Sequence, residues 1–200
     1  SKAIRFEGNG YSDEWVVEAK KRGLSNLKNT PEALEVFSRK EVIKLFENQQ
    51  VLAKEELSAR VEVELENYIL KSQIEYRVLL EMARGTILPT VLKYQNQLLT
   101  NVQGLKEVFG KDAGALSTAQ MELLKTAGQW MQKLHVDANK LEALHDQAES
   151  AKTASAKAKQ YAEKVVPGMT ELAGCCSALE SLVDDALWPF PKLAELLFTK

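Results

Sequence analysis

From Lys54 onward, apolar residues recur at spacings of three and four. Leu57, Val61, Leu65, Tyr68, Tyr76, Leu79 and Ala83 form one stripe, with Ser72 filling its gap. Val91, Leu92, Leu98, Leu99, Val102 and Leu105 resume it beyond Pro89, so a kink rather than a break is expected there. A second run, Leu124, Ala127, Met131, Leu134, Ala138, Leu141, His145 and Ala148, has the heptad spacing of a bundle seam. After a three-residue skip that reads as a stammer, Ala151, Ser155, Ala158, Ala162, Val165, Met169, Leu172, Cys176, Leu179, Val183 and Ala186 carry the seam across Pro167-Gly168. That dipeptide reads as either a kink or a tight junction between helices.

Boundaries follow from caps and breakers. Lys2 to Glu7 alternates polar and apolar residues like the edge strand of a sheet lying upstream, and Gly8-Asn9-Gly10 follows as a turn. Ser12 with Asp13 and Glu14 predicts a short helix over about 12–22 that stops near Gly23, and Thr30-Pro31-Glu32 starts another over about 31–47. Gly110 to Gly114 is the next turn, with Ser117 or Thr118 as cap. The expected main helices span roughly 54–109, 118–163 and 165–187. The fold class is therefore all-α: an elongated antiparallel helical bundle with long kinked helices and two short N-terminal helices packed at one end.

Composition narrows the function. With 26 basic and 28 acidic residues dispersed for a net charge of -2, no nucleic-acid or anionic-lipid footprint exists. The longest stretch without charge, Tyr94 to Leu105, is too short and polar to span a bilayer, so no membrane partner is expected. The chain opens on Ser1 with no signal-peptide pattern, and its first methionine is Met82, which predicts a piece cut from something longer. The cysteines, Cys175 and Cys176, are adjacent; reduced thiols in a cytoplasmic setting are expected, with Cys176 on the seam and Cys175 beside it.

Candidate chemistry is thin. Glu142-x-x-His145, with Asp146 and Glu149 nearby, is half of a helical di-metal site, but no second such motif accompanies it and the other histidine, His135, lies too far along the helix. A seam histidine is the expectation. Asp184-Asp185 project about 100° apart and form no carboxylate dyad. Lys152, Lys157, Lys159 and Lys164 read as a wet face. Gly8-Asn9-Gly10-Tyr11 lacks the spacing of a phosphate loop, and Asp13 and Glu14 would repel an anion. Trp15 and Trp130 read as core, Trp188-Pro189-Phe190-Pro191 as rigid bulk closing the bundle, and Leu193, Leu196, Leu197 and Phe198 as a docking segment.

Phe6-Glu7-Gly8-Asn9-Gly10-Tyr11-Ser12-Asp13-Glu14-Trp15, then Ala19 to Leu27 and Thr30 to Leu34, are similar to the segment after the catalytic barrel in the type III glutamine synthetase family. Leu187-Trp188-Pro189-Phe190-Pro191 with Glu195-Leu196-Leu197-Phe198 is similar to its C-terminus, and Leu65 to Ile69, Ile87-Leu88-Pro89 and Lys93-Tyr94 to its long helices. Leu193, where a tyrosine is expected, and Ala173-Gly174-Cys175-Cys176 depart from the pattern. The resemblance implies residues 1–30 as the end of a catalytic domain or connector, and 31–200 as a C-terminal helical domain. It implies a parent enzyme that joins ammonia to glutamate with ATP and a divalent metal (Mg or Mn), assembled as homo-oligomeric stacked rings. Its partners are then its own catalytic domain and neighbouring subunits. No catalytic, cofactor-binding or metal residue carries over, since the family's motifs for these lie upstream. Tyr11, Trp15, Trp188, Phe190, Leu197 and Phe198 are the expected interface and packing residues. A free-standing coiled-coil adaptor is the alternative reading.

Overall fold

The computed structural model describes residues 4–197, and among these it contains helices and no strand. Two compact units are present, 1–65 and 66–200.

In the first unit, α1 (Asp13–Lys21) starts where Ser12 Oγ accepts the Trp15 amide at 3.4 Å. Acids fill its first turn and lysines its last, matching the helix dipole. Gly23, at φ +74°, ends it, and the Leu24 amide bonds back to the Ala19 carbonyl. The second short helix divides in two: α2 (Thr30–Glu35) passes through a 3-10 turn at Val36–Ser38 into α3 (Lys40–Asn48). Its cap is Asn29 rather than Thr30. Asn29 Oδ1 accepts the Glu32 amide at 2.9 Å while Glu32 accepts the Lys28 amide at 3.1 Å, so the helix is capped one residue earlier than expected. The strand expected over Lys2–Glu7 is not formed in its described part, Ile4–Glu7. Phe6 instead packs on Trp15 with ring centroids 4.7 Å apart.

The long helices follow the two seams. α4 (Lys54–Glu81) continues through a π turn, Met82–Ile87, into α5 (Leu88–Phe109). α9 (Val166–Glu180) is preceded in the same way by a π turn, Tyr161–Val165, and by α8 (Ala154–Gln160). Pro89 and Pro167 thus sit at the second residue after a wide turn, where the shifted register absorbs the missing N–H and the ring. Neither proline breaks its helix.

The break falls elsewhere. α7 (Thr118–Glu149) ends at the three-residue skip, so that skip is a chain reversal and not a stammer. Ser150 Oγ donates back to the Gln147 carbonyl at 2.7 Å, and Thr153 Oγ1 caps α8 by accepting the Ala156 amide at 3.2 Å. The expected helix 118–163 is therefore two helices, and the expected 165–187 ends at Glu180. Asp184 then holds a turn by accepting the Ala186 amide at 2.9 Å, while Lys192 pairs with Asp185. At the other end, Gly110–Asp112 and α6 (Ala113–Leu116) link α5 to α7. The capping hydroxyl expected from Ser117 or Thr118 is not used: Thr118 Oγ1 turns back to the carbonyls of Gly114 and Ala115.

In the second unit α7 packs against both α5 and α9. Ala127, Leu134, Ala138, Leu141, Ala148, Ala158, Val165, Leu172 and Leu179 are wholly buried, so the seam is the core. Its alanines let backbones approach, and Gly168 carries this furthest. A Cβ there would lie 3.1 Å from Leu141 Cδ1 and 3.3 Å from Leu144 Cδ1. Pro167-Gly168 is thus a tight junction inside a continuous helix. Gly168→Val is expected to destabilise the chain by about 2 kcal/mol through overpacking, read from a urea melt. Ser155 and Ala186, assigned to the seam, are exposed; Tyr161, which the spacing passed over, is buried.

Candidate functional site

Polar side chains within the second unit gather around α7. The largest cluster surrounds Glu149. Its Oε1 accepts from Tyr161 Oη at 2.7 Å and from Gln73 Nε2 at 2.8 Å, and its Oε2 faces Lys157 Nζ at 3.1 Å. Burial pushes this carboxyl up, but the three donors outweigh it and hold the carboxyl down at about 2. Burial, followed by the neighbouring carboxylate, pushes the Tyr161 hydroxyl well above its ordinary range. Lys157 is therefore a partner of this cluster and not part of a wet face. Lys164 similarly reaches Gln147 Oε1 at 3.3 Å, and Lys159 faces Glu163 at 3.7 Å.

One turn up the helix, the Glu-x-x-His pair separates. Glu142 accepts from Arg84 Nη2 at 2.8 Å, a nitrogen it shares with Asn139 Oδ1 at 2.7 Å. The hydrogen bond from Arg84 holds the Glu142 carboxyl below its ordinary value. His145 lies flat on Tyr76, centroids 4.1 Å apart, with Tyr161 edge-on at 6.1 Å and Nδ1 3.4 Å from Asp146. It is the seam histidine expected from its spacing. Among the described residues, no group of three or more His, Cys, Asp or Glu side chains converges as a metal site.

The cysteines exchange their expected places. Cys175 is buried and Cys176 half-buried, both as free thiols. Cys175 Sγ donates to Asp137 Oδ2 at 3.2 Å, and Lys133 Nζ lies 2.6 Å from the same oxygen. The seam on either side keeps its expected positions, Leu172 and Leu179, and a residue three after the first and four before the second fits that spacing as well as Cys176 does, so the count alone does not choose between the two thiols. Burial, then the Asp137 carboxylate, raises the Cys175 thiol to about 11; burial, then Cys175, raises Cys176 to about 11. Such thiols are poor nucleophiles at neutral pH. Asp137, Tyr161 and Gln73 escaped the sequence reading because polar residues on a seam carry no mark of which partner meets them. The four-residue step from Lys133 to Asp137 was the one available signal.

The Gly8-Asn9-Gly10 segment is a turn. Asn9 Oδ1 accepts the Tyr11 amide at 3.0 Å, and the Asn9 carbonyl accepts the Ser12 amide at 3.1 Å. The Phe6 ring fills the space a Cβ on Gly8 would take, 2.6 Å away. These amides are already engaged, so the loop does not fit a nucleotide phosphate, and the charged clusters on α7 do not fit a divalent metal.

The expected contact residues are spread along the chain. Tyr11 is fully exposed. Trp15 is half-buried between Phe6 and Arg22, whose guanidinium lies 5.9 Å from the indole centroid. Arg22 is itself held by Glu18 at 2.8 Å and by the Ile4 carbonyl at 3.1 Å. Trp188 and Phe190, both half-buried, meet edge to face at 6.4 Å, and Trp130 is half-buried. Leu197 is 75% exposed, and Phe198 lies outside the described residues. No helix among the described residues is long and apolar enough to cross a membrane.

The fold and its clusters define an all-α domain whose ionisable groups are used to join helices. Residues 1–106 match the family described as glutamine synthetase C-terminal domain. Over 201 aligned residues the chain is 37% identical to a glutamine synthetase of Bacteroides fragilis (strain YCH46), covering 100% of this chain and 28% of that protein. It is 33% identical to a glutamine synthetase of Butyrivibrio fibrisolvens, covering 99% of this chain and 28% of that protein. It is 32% identical to a type-3 glutamine synthetase of Dictyostelium discoideum, covering 98% and 27% respectively. The chain belongs to the glutamine synthetase C-terminal domain family. It spans little more than a quarter of the length of these curated relatives.

Proposed function

We propose that this chain is the structural and interaction domain of a glutamine synthetase, an enzyme that joins ammonia to glutamate with ATP and a divalent metal in the cytoplasm, and that it performs no catalysis alone. Residues 1–30 act as the connector to the catalytic body and 31–200 as the helical domain. Neighbouring subunits of a ring assembly supply further partners.

The observation that carries this reading is the surface of the N-terminal unit. Ile4, Tyr11, Val17, Leu24 and Val51 are each more than half exposed there. So many large apolar side chains left open in a short unit support contact with another protein surface. The state of the ionisable groups supports the absence of chemistry: Glu142, Glu149, Asp137 and Cys175 each spend their polar atoms on a neighbouring helix.

The test has two arms. The purified chain, given glutamate, ammonia, ATP and Mg or Mn, is expected to form no glutamine, and turnover would refute the reading. Tyr11→Asp in the full-length enzyme is expected to lower activity or assembly at least about tenfold while leaving the helical content of the chain unchanged. Full activity and assembly in that variant would remove the surface from the account.

A further inference from the structure

The two rods that flank α7 change pitch at the same level of it. The first π turn, Met82–Ile87, sends Arg84 across to Asn139 and Glu142 at 2.7 and 2.8 Å. The second, Tyr161–Val165, runs directly into the Gly168 junction, which meets Leu141 and Leu144. A π turn replaces the tight α-helical ring by a wider one, and such turns are recurrent seats of kinks. In both rods a proline follows two residues after the π turn and removes a further backbone donor. Each rod is thus interrupted in its backbone hydrogen bonding at this level. α7 is not: it runs unbroken from Thr118 to Glu149.

The Glu142-x-x-His145 motif lies at this level, and its two side chains hold different turns. Glu142 takes Arg84 of the first. His145, stacked on Tyr76 of α4, meets the edge of Tyr161, which opens the second, at 6.1 Å. A three-residue step on a helix places both holds on one face of α7. Neither hold is a strong one. Arg84 and Glu142 are 36% and 47% exposed, so their ion pair is screened by solvent. His145 Nε2 is enclosed and finds no hydrogen-bond partner among the described residues, and an enclosed polar atom of this kind gains a partner from water when its surroundings open.

We infer that the two π turns form one hinge across the helices of the second unit, latched from α7 by Glu142 and His145. On opening, α4 and α8 turn relative to α5 and α9, and α7 stays whole as their common support. Hinges work in this way, a few backbone angles at element ends absorbing the whole change. The hinge goes beyond the interaction role proposed above, and its readout involves neither a partner nor ligase activity.

Native-state amide exchange of the chain is expected to show residues 82–88 and 161–166 exchanging at least about tenfold faster than residues 138–145 of α7. Both segments should share one dependence on low concentrations of urea, the mark of a single opening. Arg84→Met, which alters the first turn alone, is expected to speed exchange in both segments by the same factor, at least about threefold. Lys140→Met removes the 2.8 Å pair with Glu171 that joins α7 to α9, and is expected to leave residues 82–88 as they are. Protection in either turn equal to that of α7, acceleration confined to residues 82–88 in Arg84→Met, or acceleration there in Lys140→Met would each overturn the hinge.

Discussion

Leu141→Ala is expected to destabilise the chain by about 3–4 kcal/mol, toward the upper part of the range for a buried leucine. Leu141 is wholly buried and lies against Gly168 of α9, where an added Cβ would be 3.1 Å from its Cδ1. The cost of such a truncation depends on how far the surroundings collapse into the space left. Glycine on the opposite helix has no side chain to move, and the proline before it stiffens that turn. Guanidinium unfolding followed at 222 nm should show a lower midpoint with an unchanged slope. The same contact predicts non-additivity. Gly168→Val alone overpacks, but combined with Leu141→Ala its methyls occupy the vacated space, so the double variant should recover at least about 1 kcal/mol relative to the sum. Strict additivity, or a loss below about 1 kcal/mol for Leu141→Ala, would show that the α7–α9 junction is not closely packed.

Glu149→Ala should cost about 2–3 kcal/mol, because it strands the Tyr161 hydroxyl in a wholly buried site and leaves Gln73 and Lys157 without their shared acceptor. The pH dependence has a definite sign. The folded-state carboxyl titrates at about 2 against an ordinary 4.5, so its contribution is complete above pH 4.5 and disappears as the pH falls towards 2. Since the side chain is 34% exposed, solvent screening reduces the contribution to on the order of 1–2 kcal/mol. At the alkaline end, the folded state keeps the Tyr161 proton past the ordinary value of 10, so stability falls again above that pH. Glu149→Gln should flatten the acid limb. An unchanged acid limb in that variant would mean that the four-residue cluster does not join α4, α7 and α8 as described.

Local rules read along the chain located the helices well where a cap or a long period decided them. Ser12 and Gly23 bounded α1, and Ala127, Leu134, Ala138, Leu141 and Ala148 are buried on the heptad spacing, with Met131 and His145 half-buried between them. They failed where one local signal had two physical outcomes. A three-residue skip in a seam serves equally as a stammer or as a chain reversal, and the choice at Ser150–Thr153 came from hydroxyls satisfying orphaned backbone groups. Proline in a long period serves as a stop or as a tolerated insertion, and at Pro89 and Pro167 a π turn made the insertion tolerable. Of the candidate chemistry, the isolation of Glu142 from His145 was visible in the missing second motif. The Glu149 cluster was not, because its members lie 76 and 12 residues from the carboxylate they share.

The sequence by itself determined the class of the protein and the inward stripe of its long helices, because periodicity and caps are properties of residues near one another in the chain. The tertiary structure alone decided which polar groups became partners, which of the adjacent cysteines turned inward and where two helices touch at Gly168. Those outcomes depend on how helices distant in the chain meet, and spacings of three and four can be taken in either order, as at Cys175 and Cys176 between Leu172 and Leu179, without the sequence marking which order the packing uses.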